Sequence, residues 1–206
     1  MPDPLAHQPW GVPPWSIDFH PPETALPESV DVAIVGGGFS GLTTAAWVRR
    51  LSPETSVSLF ESSRIGAGAS GRTGGLALAE SAAGDLPGLG DVLAGISNIL
   101  EKLGVQCGLE LRGAWEIARG GAAKQVLEAP PRRSPIQWND SGEVRVVKEV
   151  PGGTVDPGKL VSGLARAAHR LGAQIFERQT VREIEWRPKP VLKVAGGNVR
   201  AEKIVL

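Results

Sequence analysis

An α/β fold is what this sequence predicts, and three adjacent observations predict it. Asp31–Gly36 (DVAIVG) is a short apolar, β-branched run closing on glycines, which reads as a buried parallel strand. Gly41, Ala45 and Val48 then fall at i, i+4 and i+7, with Leu42 and Leu51 beside them, and Ser52-Pro53 ends that helix. Ser56–Glu61 (SVSLFE) is a second strand, so residues 31–61 form a Rossmann-like βαβ unit.

Ahead of this unit, residues 1–29 carry Pro2, Pro4, Pro9, Pro13, Pro14, Pro21, Pro22 and Pro27. Proline removes donors and blocks helices, so this stretch is an extended arm, which Trp10, Trp15 and Phe19 could pin to the body or which stays a partly ordered tail. Behind the unit, residues 62–75 form a glycine-rich loop too long for a simple turn. A helix is expected over Leu89–Leu103, with Leu89, Val92, Ile96, Ile99 and Leu103 on one face. Leu109–Ala118 reads as a strand broken at Gly113, Gly120–Ser134 as a polar excursion, and Val144–Val150 as another strand.

Residues 156–172 follow helix grammar: Asp156 caps, Pro157 takes the first position and Gly172 stops it. Leu160, Leu164, Ala168 and Leu171 make its buried stripe, with Arg166, His169 and Arg170 outward. Strands follow at Ala173–Phe176, Val181–Trp186, Val191–Val194 and Ile204–Leu206, with a turn at Gly196-Gly197-Asn198. Because the chain stops inside an apolar strand, it is expected to be a fragment of something longer, incomplete at its C-terminus.

Bulk properties narrow the function classes. The 206 residues are 41% hydrophobic with a formal net charge of +0, which gives no electrostatic reason to expect nucleic acid or an anionic membrane as partner. The N-terminal stretch lacks the apolar core of a signal peptide, and no run approaches the roughly 18 apolar residues of a membrane span, so the cytoplasm is the default location. The lone Cys107 excludes an intrachain disulfide and a multi-Cys zinc site, and it reads as a small buried hydrophobe. His7, His20 and His169 have no metal-site spacing.

The chemistry lies in two glycine motifs. Gly36-Gly37-Gly38-Phe39-Ser40-Gly41 fits G-x-G-x-x-G: Gly36 for the tight turn, Gly38 for close approach to a pyrophosphate, Gly41 for helix–strand packing. The helix N-terminus then offers N–H groups and partial positive charge to phosphate. Glu61, twenty residues after Gly41, is placed to accept hydrogen bonds from ribose hydroxyls, and an acid there disfavours a 2′-phosphate. These residues indicate a dinucleotide. The loop from Arg64 to Gly75 points further, to FAD, because small residues with Ser70 and Thr73 let backbone amides lie along a long cofactor.

The run DVAIVGGGFSGL…SLFESSRIGAGASGRTGG resembles the opening of the D-amino-acid oxidase-like flavoproteins, which include glycine, sarcosine and γ-glutamylputrescine oxidases. Gly68–Gly75 is most similar to the last, although many relatives carry Asn where Thr73 stands. Gly153–Leu160 and Gly172–Ile184 also resemble the family. The resemblance implies an FAD-binding domain over 30–76 and 151–206, and over 77–150 part of a mixed, largely antiparallel substrate domain. It implies cofactor contacts at Gly36, Gly37, Gly38, Phe39, Ser40, Gly41, Glu61, Ser62, Arg64, Gly68, Ala69, Ser70, Arg72, Gly74, Gly75 and, through its backbone, Val181.

The activity implied is oxidation of a C–N bond of a small-molecule amine or amino acid, by hydride transfer from the α-carbon to the flavin and hydrolysis of the imine. No His or Cys lies in 62–75, so the expected FAD is non-covalent. Trp115 and Trp138 read as aromatic core rather than pocket lining. No catalytic base can be named from these residues. Two other readings stay open: a truncated, non-catalytic nucleotide-binding remnant, and an NAD-dependent dehydrogenase.

Overall fold

The computed structural model describes residues 11–79, 90–119, 144–186 and 188–206. Expectations at His7, Trp10, Leu89, Trp138 and the Gly120–Ser134 excursion lie outside them. The chain divides into two compact units. One holds residues up to Gly75 with Asn98–Gly108 and Asp156–Leu206, and the other holds Leu76–Ser97 and Leu109–Val155.

In the first unit, β1 (Ser29–Val35), α1 (Phe39–Leu51) and β2 (Val57–Phe60) are the predicted βαβ unit. After them come a 3-10 turn at Ala69–Arg72, β3 (Leu76–Leu78, in the second unit) and α2 (Val92–Leu103), which passes from the second unit into the first. The second unit also holds β4 (Ala114–Arg119), β5 (Val144–Val150) and β6 (Gly152–Thr154). The first unit closes with α3 (Pro157–Arg170), β7 (Gln174–Phe176), β8 (Glu183–Glu185), β9 (Val191–Val194) and β10 (Gly197–Val205).

A six-stranded sheet, ordered β7-β2-β1-β10-β9-β8, organises the first unit. β7, β2, β1 and β10 run parallel, while β9 pairs antiparallel with both β10 and β8. All four residues of β2 are buried, as a central parallel strand requires. Phe60 stacks on Phe176 with ring centroids 5.4 Å apart. Leu42, Leu59 and Leu164 are buried to 2% exposure or less, each contributing about 2 kcal/mol through apolar burial. In the second unit β3 pairs antiparallel with β6 and β4 with β5.

α3 follows its sequence grammar, the Asp156 side chain accepting the Lys159 N–H at 2.9 Å and Gly172 turning the chain at φ +94°. Cys107 is buried, as expected. Three expectations need correction. Gly90 and Asp91 lie outside the second helix, which begins at Val92, because the Asp91 carboxylate caps it by accepting from Leu93 and Ala94 N–H. Its most buried residues are Leu100 and Leu103. The last hairpin turns one residue early, at Ala195-Gly196, since Val194 already pairs with Gly197. Trp115 is half-buried and, with Leu76 and Leu78, lines a cavity of about 540 Å³ in the second unit, so it is pocket lining rather than core. No helix among the described residues is long and apolar enough to cross a membrane.

Candidate functional site: two glycine loops bonded over a strand end

β1 runs straight into the first glycine motif because every residue of that turn has a geometric reason to be small. Gly36 takes φ +106°, open to glycine and strained for other residues. A Cβ on Gly41 would lie 2.0 Å from the Gly36 carbonyl oxygen, so α1 can rise against β1 only without one. Gly38 precedes α1 and has no side chain to cap it; Ser40 is exposed in the first turn.

The missing cap comes from the second glycine motif. The Phe39 N–H donates to Ser70 Oγ at 2.9 Å, and a Cβ on Gly38 would crowd that same oxygen at 2.8 Å. The Gly66 N–H donates to the Gly37 carbonyl at 2.9 Å. The two motifs, separate in sequence, are therefore one constellation. The loop between them has two unlike faces. Cβ atoms on Gly68 and Gly74 would meet nothing within 4 Å, whereas on Gly66 and Gly71 they would run into Ile17 and the Gly66 carbonyl. Ala69 is exposed, and Gly75 turns the chain at φ +77°.

Glu61, half-buried at the end of β2, organises the other side. It accepts from the Gly37 N–H at 2.7 Å, the Ser63 N–H at 2.8 Å and the exposed Ser62 hydroxyl at 2.9 Å. Three of a carboxylate's roughly four acceptor positions are thus engaged. The segment after β7 lies alongside, with Arg178 N–H on the Ser63 carbonyl and Gln179 N–H on the Glu61 carbonyl. Val181 follows two residues later, its side chain packed on the core cluster around Phe60 and Phe176.

The two arginines border the N-terminal arm. Arg72 donates to the carbonyls of Ala67 at 3.2 Å and Gly11 at 2.7 Å. Arg64 lines a cavity of about 150 Å³ with Trp15, Phe19, His20 and Glu177. Sequence reasoning missed Glu177, which accepts the Ile65 N–H at 2.9 Å. Burial raises its carboxyl above the ordinary glutamate value, against the opposing pull of the Ile65 N–H and the charge of Arg64. It also missed Ser63, whose buried hydroxyl has no partner among the described residues. No local pattern marks Glu177; for Ser63 the one available signal was its place two residues after Glu61.

These residues suit the ADP half of a dinucleotide: a Cβ-free turn at a helix N-terminus, an acid at the next strand end, an open-faced glycine loop, and an orphaned buried hydroxyl beside the acid.

The chain is similar to several known proteins. The chain is 26% identical to a probable oxidoreductase OrdL of Rhizobium meliloti (strain 1021), over 85% of this chain and 48% of that one. It is 25% identical to the γ-glutamylputrescine oxidoreductase of Escherichia coli (strain K12), over 93% and 52%. It spans about half the length of these curated relatives. Among solved structures, glycine oxidase from Geobacillus kaustophilus shares the fold at a TM-score of 0.63 and 24% identity, over 86% of this chain and 55% of that one. L-Amino acid deaminase from Proteus myxofaciens does so at 0.62 and 22%, over 92% and 47%. The family model for FAD dependent oxidoreductases matches residues 31–206, from within β1 through both glycine motifs to the last residue. With the whole constellation inside that match, the chain belongs to the FAD dependent oxidoreductase (DAO) family, and its cofactor is FAD.

Proposed function

We propose that the whole protein oxidises a C–N bond of a small amine or amino acid, using non-covalent FAD. The observation that carries the cofactor half of this reading is the bonded pair of glycine motifs, Phe39 N–H to Ser70 Oγ and Gly66 N–H to the Gly37 carbonyl. The substrate class is supported by the names of similar proteins, which are a γ-glutamylputrescine oxidoreductase, a glycine oxidase and an L-amino acid deaminase.

Within this reading, Gly36–Gly41 and the first turn of α1 hold the pyrophosphate. Glu61 takes a ribose hydroxyl on its remaining acceptor position, or in place of the exposed Ser62 hydroxyl. The open face at Gly68 and Gly74 admits the cofactor, and the backbone at Val181 borders the adenine. Ala69, Ser70 and Gly75 shape that loop, while Arg64 and Arg72 support it from behind. Bound FAD would supply a two-electron acceptor for the hydride leaving the substrate carbon, after which water hydrolyses the C=N product. The first unit serves as cofactor domain and the second as part of a substrate domain.

The test is an absorbance spectrum of the purified whole protein after incubation with FAD and desalting. Retained flavin bands that pass into the supernatant when the protein is precipitated with trichloroacetic acid are expected. A whole protein that purified colourless and stayed so with added FAD, or that retained NAD in place of FAD, would overturn the reading.

A further inference from the structure

The glycine-rich loop poses a physical problem that the proposed function leaves open. Residues 66–75 contain five glycines, whose backbone freedom is costly to freeze, and the 3-10 turn within them pairs with no strand. Something must hold the back of this loop while its front face stays open at Gly68 and Gly74.

The N-terminal arm occupies that position. The Trp15 indole N–H donates to the Thr73 carbonyl at 2.9 Å, and Arg72 donates to the Gly11 carbonyl at 2.7 Å while also holding Ala67. A Cβ on Gly66 would come within 2.6 Å of Ile17, and one on Gly71 would be in ordinary contact with Pro13 at 3.4 Å, so the arm crosses the loop at these two glycines. The arm is itself anchored to α3. Asp18 N–H donates to the buried Ser162 hydroxyl at 2.9 Å, and Arg166 donates to the Asp18 carbonyl at 2.8 Å. A Cβ on Gly158 would lie 2.2 Å from the Ser16 carbonyl oxygen, so this helix carries a glycine, at a helix-propensity cost, where the arm lies against it.

We propose that residues 11–18 are a strap that orders the cofactor loop, with Trp15 and Arg72 as positioning residues for FAD. They act on the loop from its packed face and leave the open face to the ligand. Proline suits this task, because Pro13 and Pro14 lower the entropy lost when the arm docks. The cofactor part of this inference rests on the proposed function; the loop-ordering part does not.

The test compares wild type with Trp15→Phe, which keeps the ring and loses its donor, and Arg72→Lys, which loses the planar fork. Amide hydrogen exchange is followed in the cofactor-free chain, and the FAD dissociation constant is measured separately by flavin fluorescence. Exchange in 66–75 should quicken about five-fold in each variant, the size expected for one lost hydrogen bond, and FAD should bind more weakly by a similar factor. Amides of β1, and of α1 beyond its first turn, should exchange as in wild type. Unchanged loop exchange in both variants would overturn the strap, and faster exchange with unaltered FAD affinity would overturn its cofactor part. If wild type binds no FAD, the proposed function falls and loop exchange alone decides whether the arm orders the loop.

Discussion

The Ser70 hydroxyl accepts the Phe39 N–H at 2.9 Å, so the cap of α1 is supplied by a residue 31 positions later in the chain. A helix whose own N-cap is glycine is being closed by the loop that faces it. Ser70→Ala should therefore act on both motifs. It removes one capping bond, costs about 1 kcal/mol and lowers the melting temperature by about 3 °C. FAD affinity should fall as well. Thermal melting and flavin titration check the two effects, and an unchanged melting temperature would mean that the cap is not formed in solution.

The glycines of the two motifs should separate into structural and ligand-facing sets. Gly41→Ala forces a methyl against the Gly36 carbonyl, 2.0 Å away, and should destabilise the chain by about 3 kcal/mol or more. Gly68→Ala meets nothing within 4 Å, and its φ of −81° lies outside the left-handed region, so stability should change by less than about 1 kcal/mol. Only FAD binding should weaken. Chemical denaturation with parallel FAD titration distinguishes them; loss of stability in Gly68→Ala would show that its face is packed.

Much of this architecture is legible in the chain because it depends on near neighbours. The apolar run of β1, the i, i+4, i+7 spacing of α1 and the Asp156-Pro157 start of α3 are each settled within a few residues. β3 and β6 escape notice since three-residue strands such as Gly152–Thr154 have too little periodicity to read. β10 shows only its apolar end, although Val199 and Ala201 alternate inward before it. The site divides the same way. Gly36–Gly41 and Glu61 are set by local spacing, whereas the Ser70 cap, the Glu177 contact to Ile65 and the docking of Trp15 on Thr73 join residues 31, 112 and 58 positions apart. A small-residue seam at Gly158 and Ser162, one turn apart on α3, was the readable sign of the docked arm.

Glu61 and Ser63 should respond in opposite ways. Glu61→Ala strips acceptors from two backbone N–H groups and one hydroxyl, and should cost about 2 kcal/mol while abolishing tight FAD binding. Ser63→Ala deletes a buried hydroxyl that has no partner among the described residues, so stability should hold or rise slightly. If that hydroxyl serves the cofactor, FAD affinity falls in Ser63→Ala without any loss of fold. Equal destabilisation of both variants by urea would refute this division.

Glu177 makes a prediction about pH whose sign follows from its burial. Desolvation raises its folded-state pKa above the unfolded value, with the Ile65 N–H and then Arg64, His20 and Arg178 pulling the other way. Between the ordinary carboxylate range and the raised value, the folded chain binds more protons than the unfolded one. Its contribution to stability therefore declines as pH rises through that window, and the full cost of the buried charge persists at neutral pH. Glu177→Gln keeps an acceptor for Ile65 and removes the charge, so it should flatten this part of the profile and match or exceed wild type above the window. Asp31 provides the opposing sign. The Ser56 hydroxyl, and then its backbone N–H, hold that carboxylate below its ordinary value, so its small, solvent-screened contribution is present at neutral pH and lost as pH falls through the folded-state value. Melting temperatures of wild type, Glu177→Gln and Asp31→Asn across the acid range separate the two effects. A Glu177→Gln variant less stable than wild type at neutral pH would show that the carboxylate's ion pairing outweighs its desolvation.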